Sequence, residues 1–184
     1  MCACSQSSIL FETDRLVVRS ITQDDVDSIY AVYSAPKAMR WVGDGQPIKY
    51  NDCIKWVEVT ANNYASRGYG LSALQLSDTG EIIGFCGLVH PNGQHEPEIK
   101  YALLERYWGK GYASECVKGM IQYGHKQYGM DSIIATVAAE NAASQKVLAK
   151  CDMRHRETIT EDDNSSTLVF AWSPKTIETS AQCH

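Results

Sequence analysis

The feature that most restricts the fold is a set of three strand-like segments ending in a glycine turn and a helix. "LSALQLS" and "EIIGFCGLVH" flank the turn "DTG", and "EIKYALL" follows the loop "PNGQHEP". Short apolar or β-branched segments separated by Gly, Asn, Asp and Pro predict an antiparallel meander. The third segment runs into "RYWGKGYASE", after which Ala113, Cys116, Val117, Met120 and Ile121 repeat at i, i+3, i+4, i+7 and i+8. That is the stripe of a helix with one buried face. A strand feeding a glycine-rich turn that opens a helix can bind phosphate. Main-chain N–H groups converge there, glycine removes the Cβ that would block approach, and the helix dipole favours negative charge.

The flanking segments extend this unit. "RLVVRS" (15–20) predicts a short strand, and "TQDDVDSIYAVYSAP" a helix with Val26, Ile29, Tyr30 and Tyr33 on one face, ended by Pro36. Asn51 is placed to cap a second helix with the stripe Ile54, Val57, Ala61, Tyr64, closed by Gly68 and Gly70. "SIIATVA" reads as a buried strand. Asn141 opens a fourth helix carrying Ser144, Val147, Leu148 and Cys151, and a polar turn over 161–166 precedes the strand "TLVFAW". The order strand, two helices, three strands, helix, strand, helix, strand gives an α+β chain with a mixed sheet and about four helices.

Composition narrows the function classes. The 184 residues suit one domain spanning 1–184, able to bury a core without disulfides or metal. Seventeen basic against 22 acidic residues give a net charge of −5 with no long basic block, so a nucleic-acid footprint is missing. No run approaches the roughly 20 apolar residues of a membrane helix, and "MCACSQSSIL" lacks the pattern of a secretory signal, so a cytoplasmic location is expected. Seven cysteines without a CxxC pair argue against a disulfide framework. Cys86, Cys116 and Cys151 read as core thiols, and Cys2 and Cys4 as part of a loose terminus, as is the tail from Lys175. His90, His95, His125, His155 and His184 show no metal-ligand spacing, so no metal is expected, and Glu161, Asp162 and Asp163 read as a solvated turn.

The glycine spacing excludes the commoner phosphate loops, since GxxxxGK[ST] is absent and "GKGYAS" lacks the third glycine of GxGxxG. In their order, "TDRLVVRSITQDDVDSIYAVY", "PEIKYALLERYWGKGYASECVKGMIQYG" and "NAASQKVLAKCDM" resemble the GNAT acetyltransferases over roughly residues 12 to 173. The likeness is to the Rim-type branch, which acetylates ribosomal-protein N-termini. It implies a three-layer fold with a mostly antiparallel twisted sheet, acetyl-CoA as co-substrate, and transfer of acetyl to an amine by direct attack in a ternary complex.

In that family the turn carries Q/R-x-x-G-x-G/A and its amides hold the coenzyme A pyrophosphate. Two registers fit: Arg106-x-x-Gly109-x-Gly111 matches the letters, and Trp108-x-x-Gly111-x-Ala113, the preferred one, puts the last small residue at the helix start. The resemblance implies cofactor contacts from Trp108, Gly109, Lys110, Gly111, Tyr112, Ala113 and Ser114, from Asn141, and from Tyr101, Ala102 and Leu103 acting as an added strand against pantetheine. It implies Glu98 as proton acceptor, with pairing to Lys100 as the alternative and Glu96 as a weaker candidate. The tyrosine that many members use to protonate the sulfur falls at Leu148 and is absent. Ser144 in N-x-x-S-x-K-V-L stands in for it, or caps the helix in return for Asn141. Trp41 is implied in the wall of the acceptor groove, or as a staple between loop and core. A protein N-terminus and a small-molecule amine both remain open as acceptor, as does a coenzyme A binding or sensing protein without turnover. A structural domain with an incidental turn would bind no coenzyme A.

Overall fold

The computed structural model describes residues 7–42, 45–161 and 165–175. Its strands are β1 (Ile9–Glu12), β2 (Leu16–Ser20), β3 (Leu71–Leu76), β4 (Ile82–Val89), β5 (Glu98–Leu103), β6 (Ile133–Ala138), β7 (Arg154–Thr160) and β8 (Ser166–Trp172). They form one sheet in the order β1-β2-β3-β4-β5-β6-β8-β7, with every neighbouring pair antiparallel except β5 and β6. The α-helices are α1 (Val26–Tyr33), α2 (Pro36–Met39), α3 (Tyr50–Arg67), α4 (Tyr112–Tyr128) and α5 (Ala142–Lys150).

Both faces of the sheet are covered, each for a reason visible in the helix stripes. On one face Cys116, Val117, Met120 and Ile121 of α4 and Leu148 of α5 pack on Leu74, Leu88, Ile99 and Leu103. On the other, Ile29, Val32 and Tyr33 of α1, Met39 of α2, and Cys53 and Val57 of α3 pack on Leu71, Ala73 and Phe85. Fully burying one such aliphatic side chain contributes about 1.5–3 kcal/mol, so these two clusters dominate the stability of the three layers. Cys86, Cys116 and Cys151 are buried, as their apolar settings predict.

Five expectations need correction. Pro36 starts a further short helix instead of only ending α1; proline is tolerated at a first helical position, where its missing N–H would be unpaired anyway. Asn51 does not cap α3, which begins one residue earlier with Lys49 as N-cap. Tyr30 is half-exposed, edge-on to Tyr50, and Val32 takes the buried place beside Ile29. The strands β1 and β7 were not expected at all. Gly68, in contrast, closes α3 as predicted, with φ 83°. Cys2, Cys4, Asp162, Asp163 and His184 lie outside the described residues, as does the tail beyond Lys175, whose Nζ is 3.7 Å from Asp152.

Candidate active site

The sheet parts between β5 and β6. Alternate residues of an antiparallel strand direct their main-chain groups to one neighbour. Leu104 N–H donates to the Ile83 carbonyl at 2.9 Å, and in the same register Ala102 faces Phe85 and Lys100 faces Gly87. The even-numbered residues of β5 therefore bond β4, and the odd-numbered ones point toward β6. There the pairing is confined to one bridge, Glu98 with Ile134, and Ile134 N–H reaches the Pro97 carbonyl at 2.9 Å. Beyond it the strands diverge.

Glu98 sits in the fork, 2% exposed. The Thr136 N–H, which a continuing ladder would give to a β5 carbonyl, goes to Glu98 Oε1 at 3.2 Å. The Thr136 hydroxyl and the Lys100 ammonium bond the same oxygen. Lys100 Nζ also donates to Thr136 Oγ1 at 2.9 Å, while Oε2 has one long contact, Gln94 Nε2 at 3.4 Å. A buried carboxylate requires such donors, and here they fix the point at which the ladder opens. The pairing of Glu98 with Lys100 is thus present. Glu96 is engaged elsewhere: the Ser132 hydroxyl at 2.7 Å and the Arg156 guanidinium at 2.9 Å hold its carboxyl below the usual range against the opposing effect of burial.

At the far end of β5 the Trp108 indole N–H donates to the Leu103 carbonyl at 2.7 Å, folding the turn back over the strand. Gly109 and Gly111 both have left-handed backbones, φ 72° and 87°, and Gly111 is the N-cap of α4. Side chains rarely adopt this conformation, so both letters of the turn are required by its shape. A Cβ added at Gly109 would meet no heavy atom within 4 Å. None of the main-chain N–H groups from Gly109 to Ser114 donates to another described residue, and Glu115 N–H is the first to find an acceptor, the Gly111 carbonyl at 3.1 Å. The result is a cradle of free donors at the positive end of a 17-residue helix.

Two residues brace that cradle from outside it. Arg15 donates Nε to Glu115 Oε2 at 2.7 Å and Nη1 to the Lys110 carbonyl at 3.0 Å, and its guanidinium lies 4.2 Å over the Tyr112 ring. Glu115 also accepts from the Arg15 N–H at 2.9 Å and the Thr13 hydroxyl at 2.6 Å. Burial alone would raise the Glu115 carboxyl; the hydrogen bonds from Thr13 and Arg15 outweigh it and hold the group below its ordinary value. With its charge matched by Arg15, this first-turn carboxylate does not cancel the positive end of α4. Beneath the turn, the Cys116 and Cys151 thiols donate to the Ala113 and Ser114 carbonyls, each at 3.3 Å.

Across the opening, Asn141 caps α5, accepting the Ser144 N–H at 3.1 Å. Ser144 does not cap in return. Its hydroxyl meets the Tyr101 phenol at 2.5 Å, a bond that spans the gap between β5 and α5. Leu148, the position of the absent tyrosine, is buried in the core.

The opening therefore gathers Glu98 at its closed end, the main chains of Tyr101 and Leu103 along one side, Ser144 and Asn141 on the other, and the Gly109–Ser114 amides at its mouth. Ala102 stands apart, because its main chain bonds β4 and its side chain packs toward α1–α3. Trp41 lies in the turn after α2, with the Arg40 guanidinium 4.6 Å over its ring. Sequence reasoning missed Arg15, Glu115 and Thr136. The Arg15–Glu115 contact joins positions 100 apart, and no local pattern marks either residue. Among the described residues no cluster of His, Cys, Asp or Glu could hold a metal, and no helix is long and apolar enough to cross a membrane.

A family model described as an acetyltransferase (GNAT) domain matches residues 15–154. The uncharacterized N-acetyltransferase YoaA of Bacillus subtilis (strain 168) is 30% identical over 142 residues, covering 77% of this chain and 80% of its own length. A GNAT-family acetyltransferase from Bacillus anthracis superposes with a TM-score of 0.75 at 23% identity, covering 88% of this chain and 96% of that one. The ribosomal L7/L12 α-N-protein acetyltransferase RimL, in complex with coenzyme A, superposes with a TM-score of 0.77 at 16% identity, over 90% and 98% of the two chains. The chain belongs to the GNAT family of acetyl-CoA-dependent N-acetyltransferases.

Proposed function

We propose that this enzyme acetylates a primary α-amine, with a protein or peptide N-terminus as the preferred acceptor class, by direct attack of the amine on acetyl-CoA in a ternary complex. One observation carries the reading: the β5–β6 opening runs from a cradle of free amides to a buried carboxylate, a length of unpaired strand edge between them. In this reading the amides of Gly109 to Ser114 take the pyrophosphate, with Trp108, Lys110 and Tyr112 shaping the turn. Pantetheine pairs with the main chains of Tyr101 and Leu103, as an added strand does at a sheet edge. Asn141 and Ser144 flank the thioester, and Trp41 lines the acceptor side.

The acceptor class follows from proton energetics. At pH 7 an α-amine of pKa about 7.8 is neutral roughly one time in seven, whereas a lysine at about 10.4 is neutral roughly once in 2,500, a cost of about 4.6 kcal/mol. The Glu98 oxygen Oε1 is occupied by the Thr136 and Lys100 donors, so in this reading Oε2, with its single long contact to Gln94, takes the proton through water. A single carboxylate oxygen working through water suits an amine that is already partly neutral. As the amine attacks the carbonyl carbon it gives its proton to this relay, the C–S bond breaks with its electron pair on sulfur, and the thiolate leaves with the Ser144 hydroxyl beside it. The likeness to RimL and the N-x-x-S-x-K-V-L segment favour the Rim-type branch.

The same engagement of Glu98 favours a second reading, a coenzyme A binding protein without turnover. Thiol release from acetyl-CoA separates the two, measured with a short peptide bearing a free α-amine, its N-blocked lysine-containing counterpart, and a diamine. The enzyme reading expects release above hydrolysis with the first, and much less with the second. Bound coenzyme A without release from any of the three overturns it.

A further inference from the structure

The hydroxyl of Ser144 is not free to choose its partner, and the residue that restrains it lies on another element. Tyr101 projects from β5 across the opening onto α5, with its phenol oxygen 2.5 Å from Ser144 Oγ and 3.5 Å from the Ser144 carbonyl. A half-buried phenol hydrogen needs an acceptor, and Ser144 Oγ is the nearer of the two. With the phenol donating, the serine hydrogen is released from this contact. It is also released from capping, since Asn141 N–H bonds the Ala138 carbonyl and the Asn141 side chain takes the Ser144 N–H. That hydrogen is then free to point into the opening between β5 and α5.

We infer that Tyr101 is a positioning residue that holds the Ser144 hydroxyl as a donor to the thioester sulfur, supplying from β5 the control that a tyrosine at position 148 would otherwise give. Burial pushes the phenol well above its ordinary pKa, so it keeps its proton at any working pH and remains a donor. A hydroxyl that accepts a bond becomes a better donor in turn. No proton is transferred along the pair: the C–S bond breaks, the electron pair stays on sulfur, the serine bond stabilises the thiolate, and sulfur takes its proton from solvent after release. Handing over a proton would leave an alkoxide or phenolate in a partly desolvated setting, which is costly, so the role assigned is orientation and not relay.

The inference rests on the acetyltransferase reading of the site, and its test separates the two. Tyr101→Phe keeps the ring and removes the bond; Ser144→Ala removes the donor; the double variant closes a cycle. Turnover is measured with acetyl-CoA and the α-amine peptide, and coenzyme A binding to each variant verifies the fold. The expected result is a fall in kcat of about three- to tenfold in either single variant, with KM for acetyl-CoA unchanged, and no further fall when Tyr101→Phe is added to Ser144→Ala. Losses that multiply in the double variant, or a Tyr101→Phe effect confined to KM, overturn the positioning role while leaving the acetyltransferase reading intact. A wild-type protein that binds coenzyme A and releases no thiol overturns both.

Discussion

Gly109→Ala distinguishes a turn built for a ligand from a turn that is only tight. In the protein alone the cost is set by the backbone: a left-handed φ of 72° strains an alanine by about 1–2 kcal/mol, offset by roughly 0.4–1 kcal/mol from the less flexible unfolded chain. No steric cost is added, because the new Cβ meets nothing within 4 Å. A net loss of about 1 kcal/mol lowers Tm by roughly 2–4 °C in a chain of this size. The effect on binding has another source. Alanine draws the turn toward negative φ and re-aims the amides on either side of position 109. If those amides hold the pyrophosphate, losing one charge-assisted bond, about 1.5–3 kcal/mol, weakens coenzyme A by roughly 10- to 150-fold. Calorimetric titration with coenzyme A and with pantetheine, which lacks the pyrophosphate, reads this directly. The coenzyme A affinity should collapse toward that of pantetheine, and pantetheine binding should stay within about twofold. Equal weakening of both ligands, or a fall in Tm with coenzyme A affinity unchanged, refutes the assignment of the cradle.

Two further outcomes follow from the carboxylates. Glu98→Gln should slow acetylation of an α-amine peptide by about tenfold near pH 7 and by less than twofold near pH 9, where the amine of pKa about 7.8 is already neutral; a loss that does not vary with pH removes Glu98 as proton acceptor. Glu115→Gln should destabilise the fold at pH 7 by about 1 kcal/mol, a modest figure because the Arg15 side chain is 44% exposed. The Glu115 pKa is depressed on folding, so its stabilisation is present above the unfolded value of 4.5 and is lost as pH falls through the lower folded value. Chemical denaturation of both proteins between pH 7 and pH 3 should show the gap closing on the acid side of 4.5, and a constant gap would refute the linkage.

What the sequence revealed and what it hid divide by physical kind. Helices with a buried stripe and strands between covered faces leave a periodicity, and β3, β4, β5, α4 and β6 were legible for that reason. The edge strand β7 leaves none: all seven of its residues are exposed, so "RHRETIT" alternates nothing against a core and is a strand only because β8 pairs with it. The β1 strand, four residues with a shifted register beside β2, fails in the same way. In the site, the glycine turn was legible because left-handed backbone restricts residue type, and Asn141 because a cap has a side chain that fits it. The bond from Tyr101 to Ser144 spans 43 positions, and no residue type announces it. Nor does any letter mark the place where two strands stop pairing.

That unpaired length also explains how the two ends of the opening are built. A strand edge inside a sheet leaves N–H and C=O groups without partners, and each one buried costs about 1–3 kcal/mol. At the closed end the Thr136 N–H is satisfied by the Glu98 carboxylate, and at the far end the Leu103 carbonyl is satisfied by the Trp108 indole. Side chains thus occupy both limits of the ladder and leave the stretch between them, the C=O of Ile99, the N–H and C=O of Tyr101 and the N–H of Leu103, without a protein strand to face. If this were a defect of packing, the remedy at the two ends would have no reason to stop short of the middle. A groove finished at its ends and bare along its length is what an extended ligand with amide groups of its own requires, and pantetheine is such a ligand. Substituting Trp108 by Phe should therefore loosen the turn and lengthen the bare edge without adding affinity, because the Leu103 carbonyl it frees lies past the stretch that pantetheine would fill in the proposed reading; tighter binding of pantetheine by that variant would show that the groove extends farther than the ladder geometry allows.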